Sequence, residues 1–280
     1  MKNEIFFLKQ LIITASVLAL MCMPAIADEN KPLLMATTTS TDNTGLLEYL
    51  EPYFEDSTGI DLRWTATGTG KALELGKNCD ADVLLVHAPE AEKKFVKDGY
   101  GKNRRQIMYN DFVIIGPESD PAGIDGKSVS EALAAIINKE AGFVSRGDDS
   151  GTHKKELALW PAAGLKVPEK EKWYIQTGQG MLPSINIAAE RSAYIMTDRG
   201  TYIKYAHDQG GNPPLEILVE EDAALRNQYS VIQVNSQNCQ NVKAEAARRF
   251  SEWMAGQEAQ DLIGEFKLMG KTLFIPNAEK

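Results

Sequence analysis

Short apolar segments alternate with amphipathic segments along most of this sequence. Val83–Val86 is a continuous apolar run of strand length, whereas Leu46, Leu50 and Phe54 recur at the spacing of one helical turn. Strands that alternate with helices in this way are typical of α/β proteins. In a chain of 280 residues the pattern predicts one or two α/β domains with largely parallel sheets.

The alternation can be followed to the C-terminal region. Strands are predicted at Leu33–Ala36, Asp61–Ala66, Val83–Val86, Phe112–Ile115, Phe143–Val144, Ala193–Met196, Leu215–Val219 and Ser230–Val234. Helix boundaries are predicted at Gly59, at Pro89, at a capping box formed by Ser128 and Glu131, and at Ser150. Residues Val242–Phe266 are predicted to be mostly helical, with an interruption at Gly256.

The sequence contains no linker, repeat or low-complexity run that marks a domain boundary. A single lobe is compatible with this pattern. A two-lobed chain would have to cross between its lobes within strands, and we place two such crossings in Phe112–Gly116 and Ser230–Val234.

The N-terminus has the pattern of a secretory signal peptide. Lys2 and Lys9 precede an apolar run, Leu11–Met23, and small residues follow at Ala25 and Ala27. The run is shorter than the roughly 20 residues that a spanning helix needs. We therefore predict a signal peptide at 1–27, cleavage after Ala27 and export, with an uncleaved membrane anchor as the alternative.

Export affects the interpretation of the cysteines. After cleavage, Cys79 and Cys239 remain, an even pair in an oxidising compartment. A disulfide is favoured slightly over two buried thiols. Because neither cysteine has a histidine or second cysteine at ligand spacing, the sequence predicts no metal site.

The net charge excludes one class of partner. The chain carries a formal charge of −9, so it lacks the basic surface that nucleic acid requires. A small anion is not excluded, since one local pocket can oppose the overall charge.

Three predicted strand-to-helix junctions share small hydroxyl residues and glycine: Thr37–Ser40, Thr67–Gly70 and Ser150–Thr152. The first N–H groups of a helix lack internal partners, and the helix dipole gives them partial positive charge. Hydroxyls add further donors, and glycine lets a ligand approach the backbone. Together with Arg146, a fixed cation near the third junction, these features favour binding of a compact anion.

Each of these features also has an ordinary structural explanation. Ser and Thr before a helix are common N-caps. Residues Thr67–Gly70 lack the Gly-Lys-Ser/Thr ending of a phosphate loop. Arg146 could pair with Asp148 or Asp149, a role that is compatible with binding an anion.

Four segments resemble the periplasmic tungstate-binding proteins of bacterial tungstate importers: Ala36–Gly45, Asp80–Glu90, Tyr109–Ile114 and Ser145–Lys154. The similarity extends from about Leu34 to Asn277. It implies a type II periplasmic-binding-protein fold, with two α/β lobes joined by a two-strand hinge. On that basis we expect lobe 1 at 28–112 plus 230–280 and lobe 2 at 113–229. The resemblance also implies a monomer without cofactor or enzymatic activity that delivers an oxyanion to an ABC permease.

The resemblance further implies a set of residues that face the oxyanion. From lobe 1 these are Thr38, Thr39, Ser40, Thr69 and Gly70. From lobe 2 they are Arg146, Ser150, Gly151 and Thr152.

The identity of the oxyanion is less constrained. Molybdate matches tungstate in size and charge, and the sequence does not rank the two. Phosphate-binding relatives carry a similar Arg-x-Asp-Gly-Ser-Gly-Thr run in which the aspartate accepts the proton of the ligand. Asp148 holds that place here, and we expect it to turn toward Arg146 or the backbone, since a free carboxylate would repel tungstate.

A serine hydrolase is the alternative from another class of protein. Asp149-Ser150-Gly151 is similar to a serine-protease nucleophile segment, but it does not match the Gly-x-Ser-x-Gly elbow. The candidate bases are His87, His153 and His207, and the sequence places none of them beside Ser150 as a base. The hydrolase is therefore a remote alternative.

Overall fold

The computed structural model describes residues 32–279, so the predicted signal peptide and its cleavage site lie outside the described residues. The strands of this part of the chain are β1 (Leu33–Thr38), β2 (Leu62–Thr67), β3 (Val83–Val86), β4 (Gly101–Gly116), β5 (Phe143–Ser145), β6 (Tyr174–Gln176), β7 (Tyr194–Asp198), β8 (Glu216–Val219), β9 (Arg226–Val234), β10 (Lys267–Leu268), β11 (Lys271–Thr272) and β12 (Ile275–Pro276).

Helices connect most of these strands. They are α1 (Thr39–Asp42), α2 (Leu46–Thr58), α3 (Thr69–Lys77), α4 (Pro89–Lys97), α5 (Val129–Lys139), α6 (Gly151–Ala162), α7 (Met181–Glu190), α8 (Arg199–Asp208), α9 (Ala244–Ala255) and α10 (Gln257–Glu265), with a 3₁₀ turn at Ala223–Leu225. Within residues 32–279, none of these helices is long and apolar enough to cross a membrane.

Several of the predicted helix boundaries are confirmed. Gly59 ends α2 with a φ of 69°, a left-handed conformation that suits glycine. Pro89 opens α4. The Ser128 hydroxyl and the Glu131 carboxylate form the reciprocal capping box of α5. Gly256 separates α9 from α10, as predicted.

The sheet is divided between two lobes that share the long strand β4. In the first lobe the strand order is β2-β1-β3-β9-β4, and in the second it is β4-β7-β5-β6. Strands β12 and β8 each add to an edge of β4. The pairing partner of β4 changes from β9 at Asp111 to β7 at Phe112. The chain therefore enters the second lobe within β4, beside the predicted crossing at Phe112–Gly116.

The return crossing lies earlier than the predicted Ser230–Val234. Strand β9 already pairs with β4 from Arg226, where Arg226 faces Asp111. Strand β9 therefore belongs to the first sheet from its first residue. The chain thus returns to the first lobe through residues 220–225. The lobe boundaries at 112/113 and 229/230 stay a prediction. By its pairing with β4, the segment Arg226–Tyr229 belongs to the first sheet.

The sheets are less parallel than predicted. Strand β1 pairs in parallel with β2 and β3, and β5 pairs in parallel with β6 and β7. Strands β4 and β9, in contrast, run antiparallel to each of their neighbours. The difference arises because β4 carries the chain from the first lobe into the second, whereas β9 carries it back alongside β4.

Each lobe has apolar cores on both faces of its sheet. In β4, Phe112 and Ile114 belong to one core of the second lobe, whereas Val113 and Ile115 belong to the other. In β1, Met35 and Ala36 likewise belong to the two cores of the first lobe. Side chains that alternate along these strands are thus buried on both faces of the sheet. Polar groups can therefore collect only at the ends of the strands and in the loops that connect them.

Cys79 and Cys239 form a disulfide in the structure, with a Cα–Cα distance of 5.4 Å. Cys79 follows α3, and Cys239 follows β9, so both lie in the first lobe. Cys239 belongs to one of the apolar cores of that lobe, and Cys79 packs against it. The bridge thus fastens two segments of one lobe, although the two cysteines are 160 positions apart and the segment between them includes the whole second lobe.

Candidate functional site

The carboxyl ends of three neighbouring parallel strands meet at one edge of the first lobe. Thr38 pairs with Thr67 across β1 and β2, and Thr37 pairs with Leu85 across β1 and β3. The segments that leave this edge therefore lie side by side. They carry the predicted ligand residues of the first lobe, and also His87, which follows β3.

Thr38 is the centre of a hydroxyl cluster at this edge. It is 3% exposed, ends β1 and caps α1, where its Oγ1 accepts a hydrogen bond from the Thr41 N–H at 3.3 Å. The same oxygen lies 2.6 Å from Thr41 Oγ1 and 3.2 Å from Ser40 Oγ. Thr39 and Ser40 are exposed in the turn that follows. Three of the predicted ligand residues thus come together here.

His87 belongs to this hydroxyl cluster, although the sequence suggested it only as a candidate base. Its Nε2 lies 3.0 Å from Thr38 Oγ1 and 3.2 Å from Ser40 Oγ. Its Nδ1 lies 2.9 Å from Asn227 Oδ1, and its ring stacks on Tyr229 at 4.6 Å. Burial lowers the pKa of His87 and outweighs the Asn227 hydrogen bond and the Asp198 carboxylate, which act in the opposite direction. Burial therefore favours the neutral form of the imidazole.

The junction between β2 and α3 is open. Helix α3 begins at Thr69, and its cap residue Gly68 makes no side-chain hydrogen bond. A Cβ added to Gly70 would meet no atom within 4 Å. The first N–H groups of α3 can therefore be approached from outside, but no hydrogen bond among the described residues joins Thr69 or Gly70 to the Thr38 cluster.

In the second lobe, Arg146 follows β5 in a tight loop. Gly147 and Asp149 have φ values of 62° and 57°. The Arg146 guanidinium pairs with Asp148 through Nη2. Its Nε, however, is buried and has no hydrogen-bond partner among residues 32–279. A buried unpaired guanidinium N–H is costly, and it marks the place where a further acceptor would be satisfied.

Asp148 has the orientation that we expected from the sequence. One carboxylate oxygen pairs with Arg146, and the other accepts the Ser150 N–H at 3.2 Å. Burial raises the pKa of Asp148, but hydrogen bonds from Ser150 and Arg146 outweigh it and hold that pKa below its ordinary value. Asp148 is thus ionised and its negative charge is compensated within its own loop.

Ser150, Gly151 and Thr152 form the start of α6. The Ser150 hydroxyl oxygen caps the helix by accepting the His153 N–H at 3.3 Å. The N–H groups of Gly151 and Thr152 belong to the first turn, which has no internal acceptor for them. The capping role accounts for Ser150 in the structure. The Nδ1 of His153 instead accepts the N–H of Asp149 at 3.1 Å.

A fourth junction beside Arg146 was missed in the sequence. Thr177 follows β6, and its hydroxyl donates to the Arg146 carbonyl at 3.2 Å. Helix α7 then begins after Gly180, whose cap position carries no side-chain hydrogen bond. The signal was present as Thr177-Gly178-Gln179-Gly180, which, like Thr67–Gly70, combines threonine with two glycines.

The two groups of predicted ligand residues belong to different lobes, and no hydrogen bond among the described residues joins them directly. Contacts between the lobes come from α8 instead. Lys204 donates to the carbonyl of Asn43, just after α1. Ile203 packs against a core of the first lobe. Helix α8 thus holds the second lobe beside the threonine-rich turn of the first.

Together these groups provide hydroxyls, open helix N-termini and one arginine with an unpaired N–H. Each of these groups can donate a hydrogen bond, which suits an anion without protons. Among residues 32–279, no group of three or more His, Cys, Asp or Glu side chains is placed to hold a metal ion.

Comparison with known proteins identifies the family. The model of the PBP superfamily domain matches residues 25–258. The tungstate-binding protein TupA of Campylobacter jejuni is 49% identical over 240 residues, which cover 86% of this chain and 89% of that protein.

Solved structures agree with the sequence comparison. The tungstate-binding protein TupA from Desulfovibrio alaskensis is 62% identical with a TM-score of 0.87, and the match covers 89% of this chain and all of that one. A structure described as the tungstate ABC transporter from Geobacter sulfurreducens is 44% identical with a TM-score of 0.73, covering 85% of this chain and all of that one. The expected two-lobed type II fold is therefore confirmed. The chain belongs to the PBP superfamily and, within it, to the family of the TupA tungstate-binding proteins.

Proposed function

We propose that this protein captures tungstate between its lobes in the periplasm and delivers it to an ABC permease. The observation that carries the proposal is the buried, unpaired Nε of Arg146, whose guanidinium is joined through Asp148 to the start of α6. The names of the TupA relatives and of the transporter structure supply the ligand and the partner class. Export as a monomer through a cleaved signal peptide completes the proposal.

Closure of the lobes provides the mechanism. The oxyanion contacts Thr38, Thr39, Ser40, Thr69 and Gly70 from the first lobe and Arg146, Ser150, Gly151 and Thr152 from the second. Since both sets act together only in the closed form, the ligand shifts the population toward that form. No bond is made or broken, and the process needs no cofactor.

The state of Asp148 favours tungstate over phosphate as the ligand. Phosphate near neutral pH carries a proton that needs an acceptor, whereas tungstate carries none. Both carboxylate oxygens of Asp148 already accept hydrogen bonds from Arg146 and Ser150. A site in which the aspartate is occupied and the proposed ligand groups can all donate hydrogen bonds suits the unprotonated dianion. Molybdate, an unprotonated dianion of nearly the same size, fits the site by the same argument.

Calorimetric titration of the mature protein tests this function. Tungstate, molybdate, sulfate and phosphate are titrated in turn under one set of conditions. We expect saturable binding of tungstate with one anion per chain and much weaker binding of sulfate and phosphate. Equal affinity for sulfate and tungstate would overturn the specificity, and no binding of any oxyanion would overturn the function.

Ligand binding should also stabilise the fold. An anion that binds only the native state stabilises it by about 4 kcal/mol at a thousandfold excess over Kd. For a chain of this size, that should raise the melting temperature by roughly 8–16 °C. Thermal unfolding with tungstate and with sulfate at equal ionic strength measures the effect, and equal shifts would contradict it.

A further inference from the structure

The imidazole of His87 is a hydrogen-bond acceptor among groups that we propose as donors to an anion. Its Nδ1 donates to Asn227 Oδ1, because the amide nitrogen of Asn227 is in turn engaged with Asn110 Oδ1 at 2.8 Å. A neutral imidazole carries only one N–H. Its Nε2, which points at Thr38 and Ser40, is therefore a bare acceptor.

This acceptor limits the number of protons that the hydroxyl cluster can offer. Each hydroxyl has one proton to donate. If Thr38 or Ser40 donates its proton to His87 Nε2, that hydroxyl can offer only lone pairs, and no proton, to an anion in the proposed site. Tungstate, a fully deprotonated dianion at neutral pH, also presents only acceptors. The neutral ring and the bound anion therefore compete for the same protons.

We propose that His87 takes up one proton at Nε2 when the oxyanion binds. The ring then changes from acceptor to donor toward Thr38 and Ser40, and both hydroxyls can donate to the anion. The proton comes from solvent, the imidazole becomes imidazolium, and no bond in the anion changes. This inference rests on the proposed function, and it adds His87 to the site as a residue that orients the ligand-binding hydroxyls.

The surroundings of His87 fit such a change. Strand β1 and helix α1 contact it through the hydroxyls of Thr38 and Ser40. Strand β9 contributes Asn227 and the stacked, neutral ring of Tyr229, whose pKa burial raises. The carboxylate of Asp198, at the start of α8, favours the imidazolium form.

In the empty protein, burial opposes protonation of His87. A bound dianion places negative charge near the ring, which favours the positively charged imidazolium and raises the pKa of His87. Because linkage is reciprocal, protonation of His87 must then strengthen anion binding by the same factor. Affinity should therefore be highest at low pH and fall by up to about tenfold per pH unit between the pKa values of the free and the bound protein.

Calorimetry in buffers of different ionisation enthalpy measures the proton uptake directly. Tungstate is titrated into the wild-type protein, His87→Gln and His207→Gln between about pH 5.5 and 7.5, where an imidazole can titrate. Glutamine keeps an amide donor near the hydroxyls but cannot titrate. His207 serves as the matched control because its exposed side chain lies outside the proposed site.

We expect uptake approaching one proton per anion in the wild type and in His207→Gln, and none in His87→Gln. Tight binding without uptake in the wild type, or equal uptake in His87→Gln, would overturn this inference alone. No tungstate binding by the wild type would overturn the proposed function and the inference with it. If His87→Gln does not fold, ¹⁵N spectra of histidine-labelled wild type decide: one of the three rings must become imidazolium when tungstate is added, and no change would overturn the proposal.

Discussion

Replacing Arg146 with alanine should weaken tungstate binding by at least about a hundredfold. The guanidinium is the full positive charge among the proposed ligand groups, whereas the helix N-termini supply only fractional charge. Hydrogen bonds to charged groups contribute roughly 1.5–3 kcal/mol each, and each ~1.4 kcal/mol is a factor of ten in Kd. The buried Nε without a partner is the donor that we expect the anion to satisfy.

Part of the loss would come from Asp148, which would lose its ion-pair partner and face the anion with an uncompensated charge. The double variant Arg146→Ala/Asp148→Asn separates the two effects, because it removes the repulsion along with the attraction. Arg146→Lys should recover only part of the affinity, since an ammonium cannot reproduce the planar fork of the guanidinium.

Arg63→Ala provides the matched control for the Arg146 variants. It removes another arginine paired with an aspartate, Asp61, but on an exposed part of β2. Calorimetry, with circular dichroism to verify folding, should find wild-type affinity for this variant. If folded Arg146→Ala binds tungstate within threefold of the wild type, Arg146 serves only as an ion-pair partner and the proposed site is wrong.

Removing the disulfide should lower the free energy of unfolding by about 4–5 kcal/mol. The bridge closes a loop with a sequence separation of 160 residues, and in the chain-entropy model such a long loop restricts the unfolded chain strongly. Replacement of both Cys79 and Cys239 by serine, followed by denaturant unfolding, measures the effect. The buried position of Cys239 adds a smaller cost for placing a hydroxyl in an apolar core.

Tungstate affinity should change little in the same double variant. Both cysteines lie in the first lobe, so the bridge does not cross the strands that join the lobes. Two free thiols in the unfolded, unreduced wild type would contradict the bridge. A large loss of affinity in a variant that remains folded would contradict the separation of stability from binding.

The sequence predicted best those elements whose ends carry a local signal. The capping box of α5 depends on Ser128 and Glu131, which are three residues apart. Helices α7 and α8 were not predicted, because their sequences carry only weak local helix signals. Pro183 lies in the first turn of α7, and the apolar residues of α8 do not form one regular stripe. Packing against β5 and β7 stabilises α7, and packing against β4 and β7 stabilises α8, despite weak local signals.

The first half of β4 illustrates a different limit. Residues 101–106 read Gly-Lys-Asn-Arg-Arg-Gln, a polar run with no strand-like apolar alternation. The segment is extended because β9, more than 100 residues later, supplies its hydrogen-bonding partners. Such a long-range pairing cannot be derived from local composition.

His87 shows the same limit in the candidate site. The residues that give it a role are Thr38 and Asn227, which are 49 and 140 positions away. Within the sequence it is a single histidine after a buried strand. The three predicted hydroxyl-rich junctions could be found because each is a short local motif. The role of His87, which connects Thr38 to Asn227 of β9, depends instead on the order of the strands in the sheet.

The position of bound tungsten tests the central claim most directly. Anomalous diffraction at a tungsten absorption edge, from crystals of the mature protein grown with tungstate, locates the metal independently of the coordinates of the chain. We predict one strong peak between the lobes, with the tungstate oxygens in hydrogen-bonding range of the Thr38 and Ser40 hydroxyls, of Arg146 Nε and of the first N–H groups of α6. A single peak elsewhere, without Arg146 in contact, would contradict the proposed site.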